Sequence, residues 1–83
     1  MALWIKTDGS IEEVTPQTRK KFKLEELQRM VGGYIEVVYL SDKKMLVVNE
    51  EGRIHGLESN LRASVYANQI IVGNVVLLTR GEM

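Results

Sequence analysis

His55 is the only imidazole in a chain of 83 residues that contains no cysteine. Acid–base or nucleophilic use of such a ring needs a nucleophile beside it, or a carboxylate that orients it. Glu50, Glu51, Glu58, Ser59 and Ser64 are its polar neighbours along the sequence. No G-x-S-x-G elbow presents a serine. A metal site draws on several His, Cys or carboxylate ligands at fixed spacing, and one His with scattered carboxylates does not supply that set. The glycines form neither G-x-G-x-x-G nor G-x-x-x-x-G-K-[ST], so no phosphate-cradling loop is signalled. The expectation is a protein that is not an enzyme, with no catalytic residues, no metal and no cofactor.

The polar run from Asn49 to Arg62 is more informative. It sets Asn49, Arg53, His55, Asn60 and Arg62 among Glu50, Glu51 and Glu58, between apolar segments. A few fixed polar groups beside a core element are what a pocket rim needs to orient a ligand. Arg53 and Arg62 suit bidentate capture of a phosphate or carboxylate, and Tyr34, Tyr39 or Tyr66 suit stacking on a base. The same residues also have structural uses, Asn49 in a turn and Asn60 as a helix cap. The run therefore predicts either a ligand rim or a set of turns and caps.

Arg19, Lys20, Lys21 and Lys23 surround Phe22. Such a cluster can neutralise phosphates while the aromatic ring stacks on a base. The structural alternative is a solvated approach to a helix, with Phe22 in the core beside Leu24. Two observations favour it: 11 Lys plus Arg balance 11 Asp plus Glu, and Glu12-Glu13, Glu25-Glu26 and Glu50-Glu51 interrupt any basic field. Nucleic acid is thus the alternative partner and not the leading one.

The elements that must position these residues follow from period and turn chemistry. Residues 2–6 and 11–14 predict two strands joined through Asp8-Gly9, a strong hairpin signal. A two-residue loop sets Lys6 opposite Ile11; a three-residue loop sets it opposite Glu12, which charge favours. Pro16 ends the hairpin. Leu24, Leu27 and Met30-Val31 mark one face of a short helix, with Glu25 and Glu26 in its first turn, Arg29 in its last and Gly32-Gly33 as its stop. Strands are predicted over 34–40 and 45–48, with a further short one over 53–55. Asn60 caps a possible second helix carrying Leu61, Ser64 and Val65. Residues 70–72 and 75–78 are the most apolar, and the latter predict a central strand. The sum is α+β: a small, mostly antiparallel sheet of five or six short strands with a helix on one face. Residues 1–83 form a single domain.

A chain this short has a core of only a few kcal/mol net stability. Its sheet edges also need cover, so a homodimer or larger oligomer is expected, burying Trp4, Tyr34 and Tyr39. The start lacks the segments of a secretory signal, and Gly73-Asn74 interrupts the longest apolar run well short of a membrane span. The expectation is a cytoplasmic protein without a membrane partner.

Three stretches, LQRMVGGYIEVV from Leu27, VVNEEGRIHGLESNLRA from Val47 and IVGNVVLL from Ile71, carry a resemblance. Together with the opening strand and turn, the chain resembles a family of small uncharacterised proteins, frequent in phages, prophages and bacterial mobile elements and classed as a domain of unknown function. The resemblance implies context and transfers no site residue. It points to a small binding protein that engages a host protein or sequesters a nucleotide-like signal, with inhibition of host defence as one outcome.

Overall fold

A computed structural model of the chain describes residues 2–17, 21–41 and 43–83. Five antiparallel strands form one sheet in the order β2-β1-β5-β4-β3. They are β1 (Ala2–Ile5), β2 (Ile11–Val14), β3 (Ile35–Tyr39), β4 (Lys44–Asn49) and β5 (Val75–Thr79). Helix α1 (Leu24–Val31) lies between β2 and β3 in the chain, α2 (Leu61–Ala67) lies between β4 and β5, and a short 3-10 turn closes Arg80–Glu82. The architecture is the expected α+β, and β5 is central.

Both faces of the sheet are covered. Because side chains alternate along a strand, Val76, Leu78 and Val47 meet Leu27, Val31 and Phe22 on the α1 face. Val75, Leu77, Leu46 and Val48 meet Ala63 and Ile71 on the other face. Trp4 packs against the first cluster, and its indole Nε1 donates to the Met30 carbonyl at 3.1 Å. Trp4 is therefore partly covered within the chain itself.

The hairpin corrects both expected registers. Ile5 pairs with Ile11, and the Lys6 N–H donates to the Ser10 carbonyl at 2.9 Å. The loop is Thr7-Asp8-Gly9, with Gly9 at φ 91°, a turn followed by a left-handed residue that widens the connection by one position. Lys6 still reaches Glu12, diagonally, at 3.3 Å. Two further expected strands are absent. Residues 51–56 are consecutive turns, closed by bonds such as His55 N–H to the Glu51 carbonyl and Leu57 N–H to the Gly52 carbonyl. Within 70–72 only Val72 bridges, to Ser59.

Helix α1 ends as read: Gly32 adopts φ 82° and its N–H closes on the Gln28 carbonyl at 2.8 Å. Leu24, assigned from its spacing to the apolar face, is half exposed, whereas Leu27 and Val31 are buried. The start of α1 is held by Glu26. Its carboxylate accepts from the Lys23 N–H at 2.9 Å and the Gln17 N–H at 3.1 Å. The Lys23 N–H does most to hold this carboxyl below its ordinary value of 4.5. Stability from a depressed carboxyl is present above the ordinary carboxylate range and is lost as pH falls through the folded-state value. Glu26→Gln should therefore flatten the acid limb of a stability–pH curve measured by urea unfolding. An acid limb identical to that of the parent would exclude the contact.

Candidate functional site

The segment 49–62 is built on two buried asparagines. Asn49 closes β4; its Nδ2 donates to the Val31 carbonyl at 3.0 Å, and its Oδ1 accepts from the Glu51 N–H at 2.8 Å. Asn60, 1% exposed, caps α2 by accepting from the Ala63 N–H at 3.1 Å. Its Nδ2 donates to the Ile5 and Gly73 carbonyls at 3.0 and 2.9 Å. Each side chain is engaged inside the fold, and among the described residues no buried side-chain polar atom lacks a partner. Asn60 donates twice from Nδ2 inside the fold, whereas Asn49 donates once to Val31 and also lines two surface depressions.

The other candidates are exposed, and they do not converge. The Arg53 guanidinium lies 3.4 Å from the Ile70 carbonyl. His55 Nε2 lies 3.6 Å from the Glu51 carboxylate, four residues back. Arg62 stands on the exposed side of α2. Tyr34 and His55 share a shallow depression of about 250 Å³ with Gln28, Gly33, Asn49 and Glu51. Tyr39 is at the far end of β3, where the Arg80 guanidinium sits 5.4 Å from its ring centre. No serine or threonine hydroxyl bonds to His55 among the described residues, and no group of three or more His, Asp or Glu comes together there.

Two clefts flank the segment. One, of about 310 Å³, has Val38, Val48 and Ile71 among its lining, with Glu36, Glu50, Arg53, Ile54, Gln69 and Ile70 around them. The second, of about 500 Å³, lies by Trp4, Met30 and Leu57, with Thr7, Arg29, Glu58 and Asn74 as its polar side chains. Sequence reasoning placed Glu58 in the polar run but assigned none of Trp4, Arg29 or Asn74 to a site, because they come together only through the fold.

Of the basic cluster, Arg19 and Lys20 lie outside the described residues. Lys21 and Lys23 are exposed, and Phe22 is buried in the core. Phe22 therefore has no face to offer a base.

The least expected surface is that of α2. The helix turns Ala63 and Ala67 to the sheet, whereas Leu61 and Val65 are 76% and 82% exposed. Tyr66, Ile70 and Ile54 are exposed as well. Leu61–Val65 and Ala63–Ala67 are both i, i+4 pairs, so the sequence carries two apolar ridges on one helix. The structure buries the smaller one.

No helix among the described residues is long and apolar enough to cross a membrane. No curated protein and no solved structure gives a significant match to the chain. One family model matches it over residues 2–82, that of a domain of unknown function, DUF3846. A match across nearly the whole chain, on the strands, helices and turns described above, makes this protein a member of the DUF3846 family.

Proposed function

We propose that this protein is a non-enzymatic binding protein that engages another protein stoichiometrically through the outer face of α2. The observation that carries this reading is the inverted helix. A helix packed on a sheet ordinarily buries its largest apolar residues, but α2 keeps Leu61 and Val65 in solvent above buried Ala63. Contiguous exposed apolar side chains mark contact surfaces. The resemblance to small phage and mobile-element proteins supplies the class of partner, a protein of the bacterial host whose action is blocked by occupancy. The nucleotide-like alternative has less support: the cleft by Arg53 carries Glu36 and Glu50 as well, and those carboxylates repel a phosphate.

Double substitution Leu61→Glu and Val65→Glu tests the proposal. Both positions are solvated, so unfolding free energy should change by no more than about 0.5 kcal/mol each. Cross-linked co-purification from host cells should capture a stoichiometric partner with the parent chain and lose it with the variant. Equal capture by both would remove α2 from the interface. A melting temperature raised by nucleotides in a thermal-shift screen would favour the small-molecule alternative instead.

A further inference from the structure

We propose that the outer edge of β3 pairs antiparallel with β3 of a second copy of the chain, so that one sheet runs through both. This rests on the sheet edge and is independent of the role assigned to α2.

The ladder fixes which groups are free. The Glu50 N–H donates to the Tyr34 carbonyl at 2.8 Å, and the Leu40 N–H donates to the Lys44 carbonyl at 2.9 Å. With Ile35 opposite Asn49 and Val37 opposite Val47, the even-numbered residues face β4 through their backbone. Alternation in an antiparallel ladder then points the N–H and C=O groups of Ile35, Val37 and Tyr39 away from it. Among the described residues, no strand pairs with that side.

Such an edge invites pairing unless a charge, bulge or proline guards it. The opposite edge is guarded: on β2, registers centred on Glu12 or Glu13 set a carboxylate against its own copy, and Pro16 follows two residues after the strand. Strand β3 has no lysine, glycine or proline, and Glu36 is its one charge. A two-fold register centred on Val37 places Val37 opposite Val37 of the second copy, Ile35 opposite Tyr39, and Glu36 opposite Val38. The outward groups of Ile35, Val37 and Tyr39 then form narrow pairs, each exchanging two hydrogen bonds. No like charges stand directly opposite; the two Glu36 side chains are diagonal neighbours, about 7–8 Å apart at the backbone. The β-branched and aromatic cross-strand pairs are of the stabilising kind, and Tyr39, 67% exposed in the single chain, gains cover from Ile35 of the second copy.

The absence of cysteine makes the register testable with one thiol. Opposed narrow-pair residues have Cα atoms about 5.5 Å apart, within the span of a disulfide. Val37→Cys should therefore oxidise to a covalent dimer under mild oxidant. Tyr39→Cys should stay monomeric on a denaturing gel, because its own copy lies about 13 Å away along the strand. In the unmodified chain, light scattering at tens of micromolar should give twice the monomer mass. Hydrogen exchange at the Ile35, Val37 and Tyr39 amides should slow as concentration rises. A monomer mass at that concentration, or fast exchange at these three amides in a dimer, would overturn the proposal whether or not the cysteine variants fold.

Discussion

Replacing Asn60 by Asp is expected to remove about 3–5 kcal/mol of stability at neutral pH. The substitution is nearly isosteric and keeps the oxygen that accepts from Ala63 N–H, so the cap on α2 survives. What it removes is the pair of donors to the Ile5 and Gly73 carbonyls, leaving two buried acceptors against a new carboxylate. In a domain this small that is a large share of the whole, and the melting temperature should fall by about 15 °C or more. Lowering the pH should close part of the gap, because protonation restores one donor. Thermal unfolding of both proteins at pH 7 and pH 4 measures this. A loss below about 1 kcal/mol at pH 7 would mean that the two carbonyl bonds contribute little in solution.

Leu27→Ala is the second large effect, expected at about 2–5 kcal/mol. Leu27 is 1% exposed and lies in the cluster with Val31, Phe22, Val47 and Val76. Helix α1 has eight residues, too few to persist in water without its packed face, so losing the anchor loosens the whole helix. Leu24→Ala serves as the comparison. It stands one turn earlier, is 52% exposed, and should cost no more than about 0.5 kcal/mol. Urea unfolding of both variants settles the order, and equal losses would place Leu24 and Leu27 on one buried face.

The contrast between these two leucines shows how far the sequence could be read. Spacing put Leu24 and Leu27 on one stripe, and periodicity has no means of telling which end of a short stripe overhangs the sheet. Gly32 was legible because only a residue tolerant of positive φ can end α1 in that conformation. The hairpin turn was legible and its register was not: Lys6 stands opposite Ser10, one residue from the register of a two-residue loop and two from the one charge favours. In the same way Arg53-Ile54-His55 alternates like a strand, yet Gly52 and Gly56 bracket it with turns. For the candidate site, composition identified the polar run 49–62 and offered turns and caps as its alternative use, the roles in which Asn49 and Asn60 are found. It could not foresee that Asn60 would tie three segments together, nor that α2 would bury alanine and leave leucine and valine in solvent. Both depend on distances between residues far apart in the chain.

The position of β5 has a consequence for synthesis. Strands β1 and β2 are made first and β3 and β4 later, but the two pairs never touch in the ladder; β5 stands between them. Until residues 75–79 have left the ribosome, the chain can form two separate hairpins, each marginal by itself. It cannot form a sheet. Folding must therefore wait for the last strand to insert, with long loops to close, and a nascent or prematurely terminated chain would leave Ile5, Leu46 and Val47 without the Val75, Val76 and Leu77 that share their clusters.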